Sequence, residues 1–231
     1  MKTIGILGGM SAASTQIYYR ELCNLTRAKL GGLHSPDLLI RSLDFAVIEE
    51  LQATDQWEVA GDILNREAQA LERGGAELIV LATNTMHKLA DHMMRGVGIP
   101  LLHIADATAD AIRQLGLNSP GLMATAFTME QNFYTDRLRA AELTPIIPGE
   151  VDRAEVHRII YEELCKDITT SESEAAYIGI AARLMSLGAD CLILGCTEVG
   201  MLLNKDNVRV PVFDTTLIHC ETALECALSR D

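Results

Sequence analysis

Six cysteines lie along the chain, and one of them stands where a thiol can react. Cys196 follows the apolar run Cys191-Leu192-Ile193-Leu194-Gly195 and precedes Thr197-Glu198, where a helix is expected to begin. A thiol at a helix start has its pKa lowered from a free value of about 8.5, which makes it a base or a nucleophile. The commoner fate of a free cysteine is to be a small buried hydrophobe. That reading is given to Cys23, Cys165, Cys220 and Cys226, while Cys191 falls inside a strand.

An internal repeat gives Cys196 a counterpart. Gly75-Ala76-Glu77-Leu78-Ile79-Val80-Leu81-Ala82-Thr83 resembles Gly188-Ala189-Asp190-Cys191-Leu192-Ile193-Leu194-Gly195-Cys196, so Thr83 corresponds to Cys196. Ala68 and Leu71 match Ala181 and Leu184 at the same offset, and Gly5, Tyr18 and Leu22 match Gly121, Tyr134 and Leu138 at a similar one. Any helix, Gly-Ala, apolar-strand unit resembles another. Two pairs in the same order favour a duplication. Two similar domains facing each other would then bring Thr83 and Cys196 to opposite sides of one ligand. Inversion of a stereocentre needs that arrangement, because one group removes a proton from one face and another delivers a proton to the other.

A third strand end, Gly8-Gly9-Met10-Ser11, lacks the G-x-G-x-x-G spacing of a dinucleotide fingerprint, and no phosphate-binding P-loop sequence occurs. It reads as a tight turn that brings Met10 and Ser11 to the ligand. All three strand ends are expected to open helices, whose exposed N–H groups favour a carboxylate.

The elements that hold these residues alternate. Residues 3–7, 37–43, 77–82, 120–124 and 191–195 read as buried strands, and 56–73, 105–115 and 172–187 carry helical spacing. The expected fold is α/β: two similar doubly wound parallel-sheet domains related by pseudo-two-fold symmetry, with the active site in the cleft between them. Pro100 and Pro211 mark the expected crossings. Residues 1–100 with 212–231 form the first domain, and residues 101–211 the second.

Composition narrows the function. With 231 residues, of which 48% are hydrophobic, the chain can bury a sizeable core. A net charge of -13 argues against nucleic-acid binding and leaves an anionic substrate to be held by N–H groups, hydroxyls or a few cations. No C-x-x-C pair or zinc-like His cluster is present, so no metal is expected. The start of the chain has no secretory pattern and no apolar run can span a bilayer, so a cytoplasmic protein with reduced thiols and no membrane partner is expected.

These residues resemble the aspartate/glutamate racemase family, within the superfamily that includes glutamate and hydantoin racemases. The resemblance rests on Gly8-Gly9-Met10-Ser11, Asn84-Thr85-Met86-His87 and Gly195-Cys196-Thr197-Glu198, with Leu102-His103-Ile104-Ala105-Asp106 and Pro211-Val212-Phe213-Asp214-Thr215, and it spans essentially the whole chain. It implies a cofactor-independent racemase of acidic amino acids, without pyridoxal phosphate or metal, and usually a homodimer. Such racemases typically carry a Cys at both strand ends. Here the first is Thr83, and the chain resembles a Thr/Cys branch that favours L-configured acidic substrates. Cys196 would then take the α-proton and Thr83 donate one on the other face. The family's binding role, carried over by position, falls on Met10, Gln52, Asn84, Thr85 and Thr197. Thr125 and Thr128, in the second domain's counterpart of the glycine turn, would add hydroxyls. Lys166 lies where a family cation clamps a carboxylate. His87 reads either as support for the site from behind or, more commonly on the first turn of a helix, as a structural hydrogen-bonding residue.

Thr83 also feeds two other readings. One-cysteine members of the superfamily are decarboxylases or cis–trans isomerases of diacids. A non-catalytic two-lobed dicarboxylate-binding protein would likewise keep the cleft and lose a proton relay.

Overall fold

A computed structural model describes residues 1–166, 168–197 and 199–229. The chain divides into two compact units, Met1–Ile104 with His219–Asp231, and Ala105–Ile218.

The first unit runs β1 (Ile4–Gly8), α1 (Ala12–Leu30), β2 (Leu38–Ser42), α2 (Phe45–Ala53), α3 (Trp57–Arg73), β3 (Leu78–Leu81), a 3-10 turn (Thr85–Leu89), α4 (Ala90–Met93) and β4 (Leu101–Leu102). Its strands form a parallel sheet in the order β2-β1-β3-β4. Every residue of β1 and β3 is buried. Alternate side chains enter two separate clusters. Ile4, Ile6, Leu78 and Val80 pack with Tyr18, Leu22, Ala223 and Leu224, whereas Leu7, Ile79 and Leu81 pack with Leu64, Ala68 and Leu71. Both faces are therefore covered, which is why these strands read as continuous apolar runs. In α3 the stripe Ala60, Leu64, Ala68 and Leu71 is the face that a helical period turns towards the sheet.

The second unit carries α5 (Ile104–Gln114), β5 (Pro120–Ala124), α6 (Ala126–Glu130), α7 (Asn132–Ala140), α8 (Glu150–Glu162), a 3-10 turn (Leu164–Lys166), α9 (Ser171–Ser186), β6 (Cys191–Gly195), a 3-10 turn (Val199–Met201), β7 (Val212–Asp214) and the start of α10 (Thr215–Leu228). Its parallel sheet has the order β5-β6-β7. This repeats β1-β3-β4 of the first unit. The counterpart of β2 is reduced to a single bridge between Gly121 and Ile146.

The repeat extends to side-chain contacts. A Cβ on Gly5 would meet Ala76 Cβ at 2.8 Å and Leu71 Cβ at 3.4 Å; one on Gly121 would meet Leu184 Cδ1 at 3.2 Å and Ala189 Cβ at 3.3 Å. Ala76 and Leu71 are the repeat partners of Ala189 and Leu184. Each unit thus brings a helix and its following turn onto the first strand where only glycine fits. Gly75 and Gly188 enter those turns with φ of 101° and 102°, a left-handed conformation that favours glycine.

One strand departs from expectation. β2 is not buried: Ile40, Arg41 and Ser42 are exposed. It pairs only with β1 and forms the sheet's edge. No helix of the described residues is long and apolar enough to cross a membrane.

Candidate active site

In the first unit the glycine turn is held by hydroxyls. Thr15 Oγ1 accepts from the Gly9 N–H at 2.7 Å and donates to the Ser11 carbonyl at 3.0 Å. Ser11 caps α1, its Oγ accepting from the Ser14 N–H at 3.1 Å. Ser14 Oγ in turn donates to the Ala82 carbonyl at 3.0 Å, which ties the turn to the end of β3. The next residue is Thr83, which is half-buried. Its N–H donates to the Leu81 carbonyl at 2.8 Å. Asn84 and Thr85 are buried and begin the following 3-10 turn. Gln52, buried on α2, donates from Nε2 to Met86 Sδ at 2.8 Å, while its buried Oε1 accepts no hydrogen bond from the described residues. Met10 is buried beside this turn. The carboxyl ends of β1 and β3 therefore gather Met10, Ser11, Thr83, Asn84 and Thr85, and Gln52 joins them through Met86.

The second unit repeats the plan. Cys196 is half-buried directly after β6, and its carbonyl accepts from the Val199 N–H at 3.1 Å. Thr215 Oγ1 donates to the Leu194 carbonyl at 2.9 Å, bracing the strand end from α10. Thr125 and Thr128 are buried after β5, their hydroxyls 3.2 Å apart. The adjoining Ala126 N–H donates to His157 Nδ1 at 3.2 Å. Burial lowers the His157 pKa against the opposing pull of Glu130, which favours the neutral ring that can accept this bond. Tyr177 donates to the Val156 carbonyl at 3.0 Å. Burial raises its phenol, and the acidic groups around it act in the same direction. Lys166 sits exposed in a 3-10 turn and forms no ion pair among the described residues. Thr197 is half-buried beside Cys196, and Glu198 lies outside the described residues.

Two expectations need correction. Among the described residues of the three strand ends, only Gly8-Gly9-Met10-Ser11 opens an α-helix. Thr83-Asn84-Thr85 leads into a 3-10 turn, and the segment after Cys196 holds a 3-10 turn of three residues, Val199–Met201. A single turn aligns too few peptide dipoles for the helix-start argument made for Cys196. Sequence reading also missed Ser14, Thr15, Tyr177, His157 and Thr215. The Ser11-x-x-Ser14 spacing is a capping signal. The other four act through contacts that sequence distance hides.

Among the described residues, no three His, Cys, Asp or Glu side chains gather into a metal-binding group. The family model for Asp/Glu/hydantoin racemases matches residues 7–223. The chain belongs to that family. A Yersinia pestis protein described as a candidate Asp/Glu racemase is 47% identical, with a TM-score of 0.93 over 99% of this chain and 100% of that one. An aspartate racemase homologue from Pyrococcus horikoshii OT3 is 36% identical, with a TM-score of 0.87 over 99% and 100%. The broad specificity amino-acid racemase RacX of Bacillus subtilis is 21% identical over 98% of both chains. Family and relatives together support an amino-acid racemase.

Proposed function

We propose that this racemase acts on aspartate or glutamate without a cofactor, with Cys196 and Thr83 working on opposite faces of the α-carbon. The observation that carries the reading is the equivalence of the two residues. Each directly follows, or stands one residue beyond, the strand at the same position of a repeated sheet, β3 for Thr83 and β6 for Cys196. In the forward direction the Cys196 thiolate takes the α-proton of the L-substrate, breaking Cα–H and forming S–H. The electron pair passes into the substrate carboxylate as an enediolate, stabilised by neighbouring donors. Thr83 Oγ–H supplies a proton to the other face and regains one from water, and Cys196 S–H gives its proton to the hydroxide so formed, which restores both groups. A hydroxyl is a poorer base than a thiolate, so kcat from the D-enantiomer is lower, with KM lower by the same factor because the two enantiomers are equal in free energy. Gln52, Asn84, Thr85, Thr125, Thr128 and Thr197, with Met10 and Ser11 lining the pocket, bind the substrate. Lys166 pairs with a substrate carboxylate. The proposed assembly is a cytoplasmic homodimer, which sedimentation tests.

Incubation with L-aspartate or L-glutamate in deuterated buffer is expected to give α-deuteration and the D-enantiomer. Absence of both refutes the reading. Cys196→Ser is expected to abolish exchange while retaining dicarboxylate binding, and full exchange in that variant refutes the assignment of the base. Exchange without inversion would favour one-cysteine chemistry, the reading that Thr83 itself suggests.

A further inference from the structure

We propose that His87 is a positioning residue that fixes the Thr83 main chain through one neutral tautomer of its ring. The proposal rests on the racemase reading above. His87 is almost fully buried, with 2% of its surface exposed, on the 3-10 turn that follows Thr83. Its Nδ1 lies 2.8 Å from the Thr83 carbonyl oxygen, and its Nε2 lies 3.3 Å from the Ile104 backbone nitrogen. A carbonyl can only accept and a backbone N–H can only donate. The two contacts together require Nδ1–H and a bare Nε2. An imidazolium would lose the bond from Ile104, and the other tautomer would lose both.

Two further imidazoles surround the ring. His103 packs against it with ring centroids 4.4 Å apart, and His219 lies 5.9 Å away. His219 is itself held in the opposite tautomer. Its Nε2 faces the Leu102 carbonyl at 2.9 Å and must donate, so its Nδ1 accepts from Tyr18 Oη at 2.8 Å. Burial pushes the His219 pKa down to about 4. A charged His87 would therefore face the buried imidazoles of His103 and His219.

The consequence falls on Thr83. Its N–H is held by Leu81 and its carbonyl by His87, so both peptide groups flanking its Cα are fixed. His87 also ties this strand end to Ile104, the first residue of α5 and the last of its unit before the chain crosses. Proton delivery depends on a sub-ångström placement of the hydroxyl, so loosening the main chain beneath it slows that step selectively.

The test compares His87→Leu with His87→Asn, whose Nδ2 stands where the ring Nδ1 stood and can still donate to Thr83. With L-aspartate in deuterated buffer, α-exchange with retention reads the Cys196 face and inversion reads both faces. His87→Leu is expected to lower inversion relative to exchange about tenfold, and His87→Asn to bring the ratio back to within about threefold of the parent. An unchanged ratio in both variants, or an equal loss of both rates, overturns the proposal. Nitrogen-15 shifts of the His87 ring in the unmodified protein should show a protonated Nδ1 and a bare Nε2 at neutral pH. The reverse tautomer or an imidazolium overturns it whatever the activity. Absence of any exchange in the unmodified protein refutes the racemase reading instead, and the ring tautomer then decides on His87 alone.

Discussion

Replacement of Thr15 by Val tests whether the glycine turn is held by hydrogen bonds or by packing. The two side chains have nearly the same shape, so the exchange leaves the fit against Gly8 intact and removes only the hydroxyl. That hydroxyl accepts from the buried Gly9 N–H and donates to the Ser11 carbonyl. The Ser11 carbonyl keeps a second donor, the Thr15 N–H at 3.3 Å, so its loss is small, about 0.5 kcal/mol. The Gly9 N–H has no replacement, and a buried unsatisfied donor costs about 1–3 kcal/mol. A total near 2 kcal/mol corresponds to a Tm lowered by roughly 4–8 °C in a chain of this size. Thr15→Ser keeps the hydroxyl and loses one methyl group, at a cost of about 1 kcal/mol. Thermal and urea unfolding of both variants should therefore rank Val below Ser. Val equal to or more stable than Ser would refute the assignment of the turn to these bonds. Activity should follow the same order, because Met10 and Ser11 lie in the turn.

Gln52→Leu removes an acceptor that is buried without a partner, so stability should hold or rise by about 1 kcal/mol. If Gln52 binds substrate, KM should increase at least tenfold in the same variant; an unchanged KM would remove Gln52 from the site. Gly121→Ala places a Cβ 2.9 Å from Leu192 Cδ2, and Gly5→Ala places one 2.8 Å from Ala76 Cβ. Each should cost about 1–3 kcal/mol by overpacking, read from urea midpoints, and a neutral effect at both sites would undo the close-approach argument. His219 binds its proton more weakly folded, at about 4, than unfolded, at about 6.5. The unfolded state therefore takes up protons first, and stability should fall by about 3 kcal/mol as pH drops from 6.5 to 4, then level off. His219→Gln should flatten that slope, and an equal slope in both proteins would contradict the assignment.

The strands buried on both faces were legible in the sequence because nothing polar interrupts them. Cys191–Gly195 and Pro120–Ala124 match residue for residue. β2 misled because Leu-Leu-Ile reads the same at a sheet's edge as at its centre. Pairing partners, which decide the matter, lie outside any local window. Thr197-Glu198 carries the chemistry of a helix start, yet Gly200 and Asn204 follow too soon for a helix to propagate. The strand-end residues were legible because the repeat marks them twice. The network behind Thr83 was not, since His219 reaches His87 from the far end of the chain.

That same reach has a consequence for how the protein is made. The inner cluster of the first unit needs Cys220, Ala223, Leu224 and Ala227, and the Ala227 carbonyl accepts from the Lys2 N–H at 2.8 Å. The second unit is written between the two parts of the first. During vectorial synthesis, Ala105–Ile218 emerges in full while the opening segment still lacks its final helix. The exposed faces of Ile4, Ile6, Tyr18 and Leu22 must wait through the synthesis of more than a hundred further residues. The order of birth along the ribosome is thus the reverse of the order of completion: the segment made first is the one finished last.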